Sequence, residues 1–80
     1  LNLNSNLLTY ISDYIFTQSK SIEEIYINSN KIKHIENFSF SNLNILDTLD
    51  LSQNLLYKLD KSLFSDLKSL KNLNLSFNQL

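Results

Sequence analysis

Apolar residues recur along this chain on a fixed count of 24. Leu1, Ile25, Leu49 and Leu73 share one column, Leu3, Ile27, Leu51 and Leu75 a second, and Leu8, Ile32, Leu56 and Leu80 a third. Ile11, Ile35 and Leu59 follow, then Phe16, Phe40 and Phe64, while Ile22, Leu46 and Leu70 open the units that include that position. With 42% apolar residues overall, the first five columns would fill by chance on the order of once in ten million trials. Within a unit, Leu49 and Leu51 alternate with polar neighbours, which predicts a short strand with one face on a core. The chain must then turn, cross and return one unit later. Parallel strands about 4.8 Å apart follow, in a curved solenoid whose units touch only their neighbours.

One polar column runs through this apolar frame: Asn6, Asn30, Asn54 and Asn78. Where the chain bends inward after each strand, backbone N–H and C=O groups are left near the core without ladder partners, at a cost of roughly 1–3 kcal/mol each if unpaired. A carboxamide both donates and accepts, so these four asparagines are expected to form a structural ladder joining the loops above and below. The phenylalanines are expected to stack as a second column on the convex side. From 56 to 73 the apolar spacing also suits an amphipathic helix, yet a continuous helix would carry Leu73 and Leu75 out of strand geometry. A short helical turn around residues 62–67 is the most that the period allows.

The segments "IEEIYINSNKI" (22–32), "LDTLDLSQNLL" (46–56) and "LKNLNLSFNQL" (70–80), with "LNLNSNLL" at 1–8, resemble the leucine-rich repeat family in its 24-residue, phenylalanine-bearing form. The resemblance implies an α/β-type repeat solenoid. It would be a horseshoe fragment with a short parallel concave sheet and an irregular or short-helical convex side. On that frame the chain divides into a partial copy (1–21), two whole copies (22–45 and 46–69) and a second partial copy (70–80). Neither outer copy reads as the polar cap that shields a solenoid's end, so an internal piece that needs neighbouring repeats is expected. Ser19 departs from the pattern, standing where later units have Leu43 and Leu67, and a looser first convex turn is expected there.

Composition narrows function mainly by exclusion. The 80 residues include no Gly, Pro or Cys, which removes phosphate-cradling glycine loops, disulfide frameworks and thiolate chemistry. The single histidine, His34, has no repeat-related catalytic partner, so neither catalysis nor a metal site nor a cofactor is expected. A formal net charge of −1 and the absence of arginine argue against a nucleic-acid surface. No apolar run is long enough to span a membrane. Two triplets, Asn37-Phe38-Ser39 and Asn74-Leu75-Ser76, match the glycan-acceptor pattern. With 12 Asn and 12 Ser in the chain, about two such triplets arise from composition alone and do not decide compartment.

The strand residues that point away from the core are the informative ones. By register Glu23, Glu24, Tyr26, Asp47, Asp50, Lys71, Asn74 and Phe77 should line the concave face, with Asn2, Thr48, Ser52 and Asn72 among them. The four acids and Lys71 give that face a net charge of −3, while the other six lysines map to loops and the convex side. Such a face suits a protein ligand with a basic patch, Tyr26 and Phe77 adding desolvated contact area. Within the family this form resembles ectodomains of Toll-type and other extracellular receptors, implying a non-enzymatic recognition module at the cell surface or outside the cell. An intracellular repeat scaffold, or the regulatory repeats of a multidomain signalling protein, would use the same surface.

Overall fold

The computed structural model describes residues 1–16 and 18–80. Five short strands run in chain order: β1 (Tyr10–Ile11), β2 (Glu24–Tyr26), β3 (His34–Ile35), β4 (Thr48–Asp50) and β5 (Asn72–Asn74). The larger sheet is parallel, in the order β2-β4-β5. Its register aligns Ile25 with Leu49 and Leu49 with Leu73, so the 24-residue count of the sequence is the distance from one strand to the next. Asn2 extends the sheet by an isolated parallel bridge to Tyr26. Four successive coils result, named below for Asn2, β2, β4 and β5.

A second sheet, unforeseen in the sequence, pairs β1 with β3 in parallel on the far limb of the first two coils, matching Tyr10 to His34 and Ile11 to Ile35. Two residues per strand are too few to register as a period.

Between the two sheets lies the core. Ile25, Ile27, Ile32, Leu49, Leu51 and Leu56 are buried, with Phe40, Leu43 and Leu46 behind them. Leu73 belongs to the same column as Leu49, yet it is 42% exposed where Leu49 is 0%, because β5 is the outermost strand of its sheet. Phe16, Phe40 and Phe64 stack with centroids 6.0 and 6.3 Å apart and planes within 5° and 18° of parallel. That is a spacing at which aromatic pairs add to their burial.

Asparagine carboxamides close the bend after each strand. Asn54 Nδ2 donates to Leu51 O (3.0 Å) and Ser52 O (3.1 Å) in its own coil and to Ile27 O (3.1 Å) in the preceding one. Its Oδ1 accepts Ile32 N at 3.2 Å. Asn30 and Asn78 repeat this set, with Leu8 N and Leu56 N as their donors. Each rung therefore ties its own coil to the one before it, rather than bridging both neighbours. Asn6, in the first coil, is exposed and donates only to Leu3 O and Asn4 O of its own loop.

The residue before each of these asparagines has positive φ: Ser5 (56°), Ser29 (60°), Gln53 (54°) and Phe77 (57°). Left-handed backbone is disfavoured for residues with a Cβ, and here it is imposed four times by the bend that the carboxamide holds.

The convex limb is built of turns. Leu63 N, Ser65 N, Leu67 N and Leu70 N each donate to the carbonyl three residues back (3.2, 3.0, 3.1 and 3.3 Å), but these turns do not merge into the helical turn expected at 62–67. Ser19 keeps the local turn, its N–H donating to Phe16 O at 2.8 Å. It is half-buried, where Leu43 and Leu67 are buried.

Adjacent coils are not joined equally on this limb. Between the Asn2 and β2 coils, Asp13 N donates to Glu36 Oε1 (3.1 Å), Phe38 N to Asp13 Oδ1 (2.8 Å) and Ser39 Oγ to Ile11 O (3.0 Å). Lys33 N and Glu36 N also reach Thr9 O and Ile11 O. One period later Asp60 stands for Glu36 and Leu63 for Ser39. The shorter carboxylate folds back onto Ser62 N (2.9 Å) and Ser62 Oγ (2.6 Å), and leucine has no hydroxyl to offer. Residues 57–62 consequently make none of these bonds to the β2 coil among the described residues.

Candidate recognition face

Alternation along β2, β4 and β5 turns Ile25, Leu49 and Leu73 toward the core side and Glu24, Tyr26, Thr48, Asp50, Asn72 and Asn74 outward. Register sets Glu24 beside Thr48 and Thr48 beside Asn72, and likewise Tyr26 beside Asp50 and Asp50 beside Asn74. Much of this surface is internally bonded. Tyr26 Oη donates to Glu24 Oε2 (2.6 Å), Thr48 Oγ1 to Asp47 Oδ1 (2.6 Å), and Asn72 Nδ2 to Thr48 Oγ1 (3.3 Å). Asp50 Oδ1 accepts Ser52 N (2.9 Å) and Ser52 Oγ (2.7 Å), and Asn74 Oδ1 takes the same two groups from Ser76 (3.0 and 2.6 Å). Such side-chain caps hold the chain as it leaves the sheet.

Tyr26 occupies the capping position in its coil and has no oxygen placed to cap. Asn28 N turns instead to Asn4 Oδ1 of the preceding coil at 3.0 Å, and Asn28 Oδ1 is left buried without a hydrogen-bond partner. The hydrogen bond to Glu24 is the largest influence on the Tyr26 hydroxyl. Burial and the negative charges of Glu24, Asp47 and Asp50 add to it, pushing the hydroxyl above its ordinary 10.0.

The structure thus brings Glu24, Tyr26 and Asp50 together on two adjacent strands, with Asp47 just before the second. Glu23 sits at the rim, exposed, its carbonyl accepting Asp47 N (2.8 Å) and Thr48 N (3.2 Å). Lys71, Asn74 and Phe77 belong to the outermost coil, where Phe77 is 77% exposed. Ser52, expected on the open face, is buried at 6% because its hydroxyl turns back to Asp50. The positive-φ column was missed in the sequence. In a chain without glycine nothing marks a left-handed position except its period, and Ser5, Ser29, Gln53 and Phe77 have no one side-chain chemistry common to all four.

Of the two glycan-acceptor triplets, Asn37 is exposed on the far limb and Asn74 is exposed on β5. The Asn37 triplet has its serine closed off, since Ser39 is 1% exposed and donates to Ile11 O and Glu36 O. Among the described residues no group of three His, Cys, Asp or Glu side chains could hold a metal ion. Among the described residues no helix is long and apolar enough to cross a membrane.

Comparison with known proteins agrees with this architecture. A family model described as "Leucine rich repeat" matches residues 1–56 and 20–80. The chain superposes on a crystal structure of a TLR13–ssRNA13 complex with a TM-score of 0.90 and 33% sequence identity, over 98% of its own length and 11% of that chain. No curated protein matches it. With the repeat period realised as strand register, the asparagine ladder in place and the family model spanning both halves, the chain belongs to the leucine-rich repeat family and resembles Toll-like receptor ectodomains.

Proposed function

We propose that this chain is part of a longer, non-enzymatic recognition array that binds a protein ligand through its concave face, the ligand presenting a basic patch. The observation that carries the reading is the register that sets Glu24 and Tyr26 of β2 beside Thr48 and Asp50 of β4, with Asp47 just before β4 bonded to Thr48 and Glu24 bonded to Tyr26. A rigid, like-charged surface steers and selects a cationic partner, and Tyr26, with Phe77 on the outer coil, offers aromatic area of the kind that dominates interface energetics. The TLR13 complex pairs that receptor with a single-stranded RNA. Here the carboxylates on β2 and β4 would repel a phosphate backbone, which favours a protein ligand for this face.

This chain spans 11% of the Toll-like receptor chain that it matches, which supports further coils beside the two whole copies, 22–45 and 46–69. The likeness to Toll-type ectodomains supports a site outside the cell or at its surface. A cytoplasmic scaffold would expose the same face, and a signal peptide encoded in the full-length gene would eliminate it.

Selection of displayed random peptides on the immobilised chain tests the binding reading. Enriched peptides should be rich in Lys and Arg and should lose at least tenfold in affinity for the double variant Glu24→Lys, Asp50→Lys. Peptides without cationic bias, or unaffected by the charge reversal, would refute it.

A further inference from the structure

On the limb opposite the concave face, the missing bonds between the β2 and β4 coils leave a cleft of about 310 Å³. Its walls include Lys33, His34 and Ile35 from one coil and Tyr57, Lys58 and Asp60 from the next. The two preceding coils provide an internal control: there the β1–β3 pairing and the Glu36, Asp13 and Ser39 bonds close the same place. The same two coils are bonded on either side of the lining residues in chain order, by Leu55 N donating to Ile32 O (2.8 Å) and Asn42 N donating to Asp66 Oδ2 (3.3 Å).

We propose that this cleft binds the oxyanion head of a phosphate or sulfate monoester. Lys33 and Lys58 line it from opposite coils and give it two ammonium groups, one of which, Lys58, also acts on Asp60, and His34 adds ring N–H donor capacity. Asp60 is the one carboxylate among the lining residues, and its Oδ1 is already engaged by both Ser62 donors. The Ile35 and Tyr57 walls give the organic part of an ester an apolar surface. The volume lies at the lower end of small-molecule sites, which run from roughly 300 to 1,000 Å³.

Titration of the 80-residue chain with methyl phosphate and with methyl sulfate, followed by amide and ring resonances at constant ionic strength, tests this. The expected result is saturable shifts at Ile35, Tyr57 and Lys58. Apparent affinity should fall at least fivefold in the double variant Lys33→Gln, Lys58→Gln and stay unchanged in Lys20→Gln, Lys68→Gln, which removes the same charge elsewhere. A stronger response to the phosphate assigns the site to phosphate esters, and the reverse to sulfate esters. Shifts that do not saturate, or that weaken equally in both double variants, would overturn the proposal. The concave-face reading is untouched by either result, since none of its residues lines the cleft.

Discussion

Asn54 accepts the backbone N–H of Ile32, 22 positions earlier, at 3.2 Å, and its two N–H hydrogens serve three carbonyls, one hydrogen being shared. Removing its carboxamide orphans buried backbone groups in two coils at once, each costing roughly 1–3 kcal/mol. Asn54→Leu should therefore lower stability by about 2–4 kcal/mol. Asn6→Leu should cost under about 0.5 kcal/mol, as expected of an exposed site with purely local bonds. Urea midpoints for the two variants check this, and equal losses would remove the ladder from the account of stability.

The left-handed column yields a second expectation. Gln53 sits at φ 54°, a conformation that asparagine tolerates and β-branched residues resist. Gln53→Asn should be neutral or stabilising by a few tenths of a kcal/mol, while Gln53→Ile should destabilise by more than about 1 kcal/mol. Thermal unfolding that ranks the two the other way would show that the bend does not need this geometry.

Glu36 and Asp60 differ by one methylene, and that difference decides whether a carboxylate reaches the neighbouring coil. Asp60→Glu should let the side chain accept Asn37 N, as Glu36 accepts Asp13 N, and should slow exchange of the Asn37 amide severalfold while raising stability by about 0.5–1.5 kcal/mol. Unaltered exchange at Asn37 would mean that something other than carboxylate reach keeps these coils apart.

How much of this could be read in advance follows from the length of each signal. The Leu49 and Leu51 columns repeat across the chain, so parallel strands and their register were legible, as was the family resemblance. The β1–β3 pairing rests on two residues per strand and left no period. The cleft arises from Asp60 and Leu63, two substitutions whose effect depends on which coil they face. The bend at Ser5, Ser29, Gln53 and Phe77 is enforced by the Asn column rather than by its own residues. On the concave face the charged positions were legible from alternation, but the internal bonds of Tyr26 and Asp50 needed atoms.

Tyr26 offers a spectroscopic check on that face. Its hydroxyl is held protonated by Glu24 and the surrounding carboxylates, so the folded state keeps the proton to higher pH than an unfolded chain does. The contribution is whole below the ordinary 10.0 and is lost as pH climbs through the raised value. Absorbance titration should resolve a late-ionising component among the four tyrosines, and Glu24→Gln should move it earlier. A single ordinary transition in the parent chain would mean that Tyr26 and Glu24 do not interact in solution.

Every hydrogen bond described between coils reaches only the adjacent coil. Pulled by its two termini, the molecule would peel from an outer turn inward, each detachment releasing one strand-to-strand interval, about 80 Å of slack when fully extended. Its force–extension trace would be a staircase rather than a single rupture, and the step between the β2 and β4 coils, which lack the convex-limb bonds of the pair before them, should come at lower load.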